Sequence, residues 1–182
     1  MAENFVLQHL LSRYMQLDRY HTVSWDEVER TAAFELWNLS GQLVGYQQYR
    51  PEGDKKFCND KDIGKYYTYT RDNIAVWGLE TLGYRHDVLF VVEGVFDAVK
   101  LHNLNLPCIA VLSNDPKNIR PWVNSLARTT VAVCDNDKAG RMLGTSCQYQ
   151  LYVEGDSAKD LGDMTHEEVR EFIKFYCPLI WA

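Results

Sequence analysis

VLFVVEGVFDA at residues 88–98 and TTVAVCDNDKAG at residues 129–140 are the two stretches on which the fold turns. Each is an apolar run that ends on an acid. Val88 to Val92 stops at Glu93, and Thr129 to Cys134 stops at Asp135, with Asp137 two residues on. Uninterrupted apolar runs of this length suit central parallel strands covered on both faces. Working outward, Val95 to Leu104 has helical spacing, Cys108 to Leu112 reads as a strand and Pro121 to Leu126 as a helix. Lys138 to Leu143 reads as a further helix and Tyr149 to Val153 as a fourth strand. That alternation predicts an α/β domain with a mostly parallel sheet flanked by helices. Thr165 with Glu168 forms a capping box that opens a last helix to about Tyr176, and Pro178 ends it.

The first half has a different period. Phe5, Val6, Leu7, Leu10, Leu11 and Tyr14 predict an amphipathic helix over residues 3–16. Ser24 followed by Glu27 reads as a capping box, which predicts a short helix over about 25–31. Residues 34–39 and 43–50 alternate around Ser40-Gly41, a hairpin signal. A polar loop over 51–65, a strand over 65–70 and a short helix from Ala75 to Leu82 complete the reading. The expected organisation is a small α+β subdomain over 1–86, the α/β domain over 87–164, and a C-terminal helix and tail over 165–182.

Composition narrows the class. Of 182 residues, 46% are hydrophobic and 24% charged, which excludes disordered and collagen-like chains. No apolar run approaches the roughly 20 residues that span a bilayer. The first residues carry Glu3 and no uninterrupted apolar core, so no signal peptide is read and a cytoplasmic location is expected. A net charge of −6 argues against a protein held to nucleic acid by bulk charge. It leaves room for a local basic groove, or for acids that reach nucleic acid through a divalent metal. The five cysteines, Cys58, Cys108, Cys134, Cys147 and Cys177, include no C-x-x-C pair, so no zinc site and no disulfide framework are expected. The five histidines share no ligand spacing, and Trp25, Trp37, Trp77 and Trp122 are expected in the core. There is no P-loop and no serine-hydrolase order.

Ligand sites of open α/β sheets form beyond the carboxyl ends of the strands. Glu93, Asp135, Asp137, Asp160 and Asp163 all fall there. Taken singly, such acids are often loop starts or helix caps. Together, on neighbouring strands, they cannot all stay ionised without a cation. Hard oxygen ligands select Mg²⁺ or Mn²⁺, and metals held this way suit phosphoryl transfer.

The residues 93–98, Glu-Gly-Val-Phe-Asp-Ala, resemble the E-G-x-x-D motif of Toprim domains. Residues 135–140, Asp-Asn-Asp-Lys-Ala-Gly, resemble their D-x-D-x-A-G motif. Toprim domains are the metal-binding modules of bacterial and phage primases, of type IA and type II topoisomerases and of several nucleases. The resemblance implies that Glu93 moves a proton or binds metal, and that Asp135 and Asp137 are ligands. It makes Asp97, Asp160 and Asp163 supporting acids, with Asp160 joining the metal set.

The preceding part is similar to the catalytic core of DnaG-type DNA primases. Gly41 to Tyr46 followed by Arg50 resembles their glycine-centred hairpin, Lys65-Tyr66 their Lys-Tyr step, and Val76 to Glu80 the helix before the first Toprim strand. Lys159-Asp160-Leu161-Gly162-Asp163 resembles their K-D-P-x-D segment, with Leu161 in place of proline. The resemblance runs over about 34–164. It comes without the zinc-binding cysteines of primases and with only about 18 residues after Asp163. A minimal core is therefore expected. It would be encoded by a phage or mobile element, act in the host cytoplasm, and rely on a helicase or a separate zinc-binding initiation factor.

Between Tyr46 and Arg71 six basic residues, among them Arg50, Lys55, Lys56 and Lys65, alternate with Tyr49, Phe57, Tyr66, Tyr67 and Tyr69. Cations beside aromatic rings suit single-stranded nucleic acid. They equally suit a solvated loop beside a strand whose tyrosines fill the core. With the resemblance, Arg50, Lys55, Lys56, Lys65 and Tyr66 become candidates for binding a template or nucleotide phosphates. The leading function is Mg²⁺-dependent RNA primer synthesis from nucleoside triphosphates on single-stranded DNA. Two others stay open: a Toprim nuclease cleaving DNA or RNA, and a non-catalytic factor that binds nucleic acid or a partner in replication or anti-defence.

Overall fold

The computed structural model describes residues 4–112, 116–135, 138–153 and 158–181. Asp137 lies outside them. The chain divides into two compact units, one ending at Trp77 and one beginning at Gly78.

The first unit, over its described residues, is a four-stranded antiparallel sheet with one α-helix. Its strands are β1 (Val23–Asp26), β2 (Thr31–Trp37), β3 (Leu43–Tyr49) and β4 (Tyr66–Thr70), in the order β1-β2-β3-β4. The hairpin expected around Ser40-Gly41 is present between β2 and β3. Its turn is closed by Asn38, whose Oδ1 accepts from the N–H groups of Ser40 and Gln42 at 3.0 Å each. Along β2 burial alternates strictly, with Ala32, Phe34 and Leu36 inward. They meet α1 (Phe5–Ser12) through a core of Val6, Leu10, Tyr20 and Trp77, with the Tyr20 and Trp77 rings 5.0 Å apart.

The helix expected over 25–31 is instead β1 and a tight turn. Ser24 pairs with Ala33 in the sheet and caps nothing there. Asp26 Oδ1 holds the turn by accepting from the N–H groups of Val28 and Glu29. Glu27 does cap a helix, but a distant one: its two carboxylate oxygens accept from Val6 N–H and Leu7 N–H at 2.9 and 3.0 Å, at the start of α1. The S-x-x-E spacing was real, and tertiary pairing overrode it. Trp25, expected in the core, is 41% exposed: it shares the inner face with Val23 by register, opposite Ala32, but lies on the edge strand, where only Val23 is buried. Trp77 is fully buried, while Trp37 and Trp122 are part-buried.

The helix expected from Ala75 to Leu82 is also corrected. Val76 bridges to Trp37, and only a 3₁₀ turn, Leu79–Gly83, follows. Gly78 separates them at φ +95°, a left-handed conformation that an α-helix cannot pass through. A Cβ there would stand 2.7 Å from the Cys108 carbonyl oxygen.

The second unit is the expected α/β domain. Its strands β5 (Val88–Val92), β6 (Cys108–Ala110), β7 (Thr129–Cys134) and β8 (Tyr149–Tyr152) form one parallel sheet in the order β6-β5-β7-β8. Four helices accompany them: α2 (Val95–His102), α3 (Arg120–Ser125), α4 (Lys138–Gly144) and α5 (His166–Tyr176). Leu89 to Val92 and Thr130 to Cys134 are buried at every position, as the apolar runs require of the two central strands. The capping box of Thr165 and Glu168 opens α5 as expected. No helix among the described residues is long and apolar enough to cross a membrane.

Removing the Glu27 carboxylate tests the long-range cap. Glu27→Ala should cost about 1–2 kcal/mol of stability, the usual range for a lost cap, read as a lower denaturant midpoint with an unchanged slope. An unaltered midpoint would show that α1 is held by packing alone.

Candidate active site

Strand order places the acids. From β5 the chain crosses to β6 on one side, then returns past β5 to β7 on the other. The crevice between β5 and β7 is therefore the point where the winding reverses, and ligands of open α/β sheets bind beyond the strands there. Glu93 follows β5 and Asp135 follows β7 on its two sides. The Glu93 backbone remains part of the sheet, because its carbonyl accepts from Leu112 N–H at 2.9 Å. Both side chains are part-buried. Both carboxylates lie near enough to raise the pKa of the Cys134 thiol, which burial first drives up to about 12.

The motif residues have local reasons. Asp97 sits in the first turn of α2, and its Oδ2 accepts from Gly94 N–H at 3.1 Å. Its Oδ1 accepts from Gly162 N–H at 2.7 Å, which draws the 3₁₀ turn Leu161–Asp163 against α2. Lys100, one turn further along α2 and 1% exposed, donates to the Met164 carbonyl of the same segment. Asp160, eight residues beyond the end of β8, is thereby held close enough to Asp97 to raise the pKa of its carboxyl. Gly140 lets α4 start beside Asp135: a Cβ would stand 2.1 Å from the Asp135 carbonyl oxygen. The D-x-D-x-A-G glycine is thus a requirement of close backbone packing.

Of the predicted acids, Asp97, Asp135 and Asp160 share one electrostatic neighbourhood. Burial raises the Asp97 pKa, the Asp160 carboxylate raises it further, the Gly162 N–H opposes, and Asp135 adds to the rise. The result is about 8, far above an ordinary aspartate. Asp160 itself caps its turn by accepting from Asp163 N–H at 2.9 Å, and Asp163 is exposed. Every candidate ligand is a carboxylate oxygen, the donor type that Mg²⁺ and Mn²⁺ take, and a divalent cation would relieve the like-charge strain recorded at Asp97. Among the described residues no three Asp, Glu, His or Cys side chains close on one metal position.

The first unit gathers cations. Lys65 Nζ donates to the Pro51 carbonyl at 3.2 Å and lies 5.9 Å from the centre of the Tyr49 ring. Partial burial lowers its pKa, and the charges of Lys55 and Arg13 lower it further. His9 Nε2 is 2.8 Å from Tyr49 Oη, and its pKa is lowered by burial, then by Arg13 and Lys65. Tyr66 packs its ring 5.2 Å from that of Tyr49. Lys55 and Lys56 are exposed on a 3₁₀ turn, Lys55–Phe57. Arg50 spends one guanidinium N–H on the Glu29 carbonyl at 2.7 Å, which ties the β1–β2 turn to the end of β3. Arg13 and His9 are part of this basic cluster, and the sequence reading missed them. His9 stands on α1 and Arg13 caps its end, some 40–56 residues before their neighbours, and the local signal that could have marked them is only a pair of polar groups one turn apart at an apolar helix.

The raised Asp97 pKa has a definite sign. A carboxyl whose pKa is higher in the folded state holds its proton more tightly there, so stability falls as pH rises above about 4 and the loss is complete above about 8. Without divalent ions, the melting midpoint of the chain should drop between pH 5 and pH 9 by several degrees more than that of Asp97→Asn. Parallel pH curves for the two proteins would remove this acid from the account.

No protein-family model matches the chain, and no curated protein matches it. Solved structures do. A DnaG catalytic core superposes with a TM-score of 0.66 at 15% identity, over 96% of this chain and 73% of that one. The Aquifex aeolicus primase, comprising zinc-binding and RNA polymerase domains, matches with a TM-score of 0.57 at 17% identity, over 95% of this chain and 49% of that one. The Escherichia coli primase catalytic core matches with a TM-score of 0.57 at 17% identity, over 97% and 61%. The chain thus spans between about half and three-quarters of the length of these structures. Nearly its whole length is used in each superposition, so the antiparallel unit and the parallel unit with its acids at the switch point together have the fold of the DnaG primase catalytic core.

Proposed function

We propose that the chain is a template-directed nucleotidyl transferase that makes short RNA on single-stranded DNA during replication. The observation that carries the reading is the placement of Glu93 and Asp135 on either side of the β5–β7 switch point, with Asp160 drawn toward them by Asp97. Support comes from three structural neighbours. One is a DnaG catalytic domain bound to single-stranded DNA. Another is the primase fragment of the bacteriophage T7 primase-helicase protein, and a third is a T7 complex of a DNA polymerase with two primase domains on an RNA/DNA hybrid.

Within this reading Glu93, Asp135 and Asp160, with Asp137 of the same motif, would hold Mg²⁺ or Mn²⁺, and the chemistry such an ion would supply is charge neutralisation of the carboxylates and polarisation of the phosphoryl group. The alternative role of Glu93, at the end of a central strand, is to take the proton of the attacking 3′-hydroxyl. Asp97 is a positioning residue: it fixes the Gly94 turn and the Gly162 turn at once, and so sets the spacing of the other acids. Burial and then the nearby charges of Lys55 and Arg13 lower the Lys65 pKa, and a phosphate there would offset that repulsion. They are assigned to the template backbone or the triphosphate, with Arg50 and Lys56 beside them. A helicase and a zinc-binding initiation factor are the partners that the neighbours' compositions suggest.

The test is a gel assay with single-stranded DNA, labelled ribonucleotides and Mg²⁺ or Mn²⁺. Short labelled products are expected, and they should fall by roughly a hundredfold or more in Glu93→Gln and in Asp135→Asn. Lys65→Ala should weaken template binding at low salt and reduce the salt slope by about one. Degraded DNA without synthesis would move the assignment to a nuclease. Activity retained in both acid variants would remove the site altogether.

A further inference from the structure

The two faces of the antiparallel sheet are unlike. One carries Phe34, Leu36, Val44 and Tyr49 into the core. On the other, the register sets Glu35 opposite Tyr46 and Tyr46 opposite Tyr69, while Gln48 stands opposite Tyr67. The Tyr46 ring is centred 5.8 Å from that of Tyr69 and 6.3 Å from that of Tyr67. Three rings on two adjacent strands therefore make one aromatic surface. It lies against β4, the last strand of the sheet, and Tyr69 is 51% exposed.

We propose that Tyr46, Tyr67 and Tyr69 form a stacking platform for the bases of single-stranded DNA, distinct from the basic cluster at Lys65 and from the acids. Aromatic side chains displayed on a four-stranded sheet stack unpaired bases, because every base has a π-face. One cross-strand tyrosine pair is explained by sheet stability. A third ring added on the diagonal extends the surface without adding to the core. The polar members of the face suit base edges. Glu35 is an acceptor for exocyclic amino groups. Gln48 donates to the Lys61 carbonyl at 2.7 Å, which anchors the Lys61 backbone beside the rings.

Charge agrees. Residues 46–71 carry six basic and four acidic residues in a chain of net charge −6. Three of those acids are occupied within the chain. Glu52 pairs with Arg30, Asp54 caps Lys56 N–H, and Asp60 caps Asp62 N–H and Ile63 N–H. Arg71 marks the other end of the face, where its guanidinium donates to the Leu43 carbonyl. Lys65 and Tyr66 immediately precede Tyr67 on the edge strand. A DNA strand held by a phosphate at Lys65 can therefore pass the edge of β4 and lay its next bases on the rings. In choosing DNA over RNA the proposal rests on the template role given above. The platform itself needs none of the acids.

The experiment is fluorescence anisotropy of a labelled oligothymidylate of about 12 nucleotides with the full chain, across roughly 50–200 mM salt. The variants are Tyr67→Thr/Tyr69→Thr and Tyr67→Phe/Tyr69→Phe. The threonine pair keeps strand propensity and should bind about tenfold or more weaker at every salt concentration, with the salt slope unchanged. The phenylalanine pair should bind like the wild type. In contrast, Lys65→Ala should change the slope. If the threonine pair is poorly folded, ultraviolet crosslinking of the wild type to an iodouracil-substituted oligonucleotide decides: adducts on Tyr46, Tyr67 or Tyr69 support the platform, and adducts only elsewhere overturn it. Wild-type affinity in a folded threonine pair, or binding of oligouridylate in preference to oligothymidylate, also overturns it. Glu93→Gln serves as the control that separates the two readings. If the wild type makes no primers while the tyrosine effect persists in both backgrounds, the synthetic function fails and the platform stands.

Discussion

One carboxylate ties together parts of the second unit that are far apart in sequence. Asp97 accepts from Gly94 N–H and from Gly162 N–H, two backbone positions 68 residues apart in sequence that no strand pairing brings together. The first bond fixes the turn that carries Glu93 off the end of β5. The second holds the segment carrying Asp160 against α2, and the buried Lys100 holds the same segment one helical turn along. The spacing of acids across the crevice is thus set from the helix. The arrangement is costly, because a carboxyl buried among other carboxyls holds its proton to about pH 8. Both carboxylate oxygens are in use as acceptors, and neither asparagine nor serine offers two such oxygens, so a carboxylate is what joins the two turns despite its burial beside other acids.

The sequence announced the parallel sheet clearly. A continuous apolar run is the physical consequence of being covered on both faces, and β5 and β7 are buried at nearly every position. The alternation along β2 and β3 was equally legible, because one face of that sheet meets water. What could not be read was whatever depended on distant partners. Ser24 to Glu27 has the local grammar of a helix start, yet pairing of Ser24 with Ala33 made it a strand, and Glu27 serves a helix that begins 22 residues earlier. Gly78 ends an apparent helix because its backbone is left-handed, a choice that a lone glycine in a W-G-L step does not declare.

The candidate site was legible in kind but not in number. Glu93, Asp135 and Asp160 follow from the rule that sites lie beyond strand ends, whereas Asp97 entered only as the last acid of the E-G-x-x-D resemblance. Its role as a brace became visible with the two N–H groups it joins. On the other unit, Arg50 and Lys65 were marked by their place among tyrosines, whereas Arg13 and His9 were hidden by distance along the chain. The tyrosines themselves separated into two sets that composition had merged. Tyr49 and Tyr66 pack together by the core, while Tyr46, Tyr67 and Tyr69 turn the other way, since neighbours along a strand point to opposite faces.

The cap that Glu27 places on α1 carries a consequence for the order in which the chain can take shape. An eight-residue helix is well below the length at which helices persist alone in water. Its first two N–H partners reside on a turn that exists only after β1 has paired with β2. Synthesis from the N-terminus delivers the segment of α1 before the residues that complete it. The first helix in the sequence is therefore among the later elements to become firm, and the hairpin that follows is the template on which it settles.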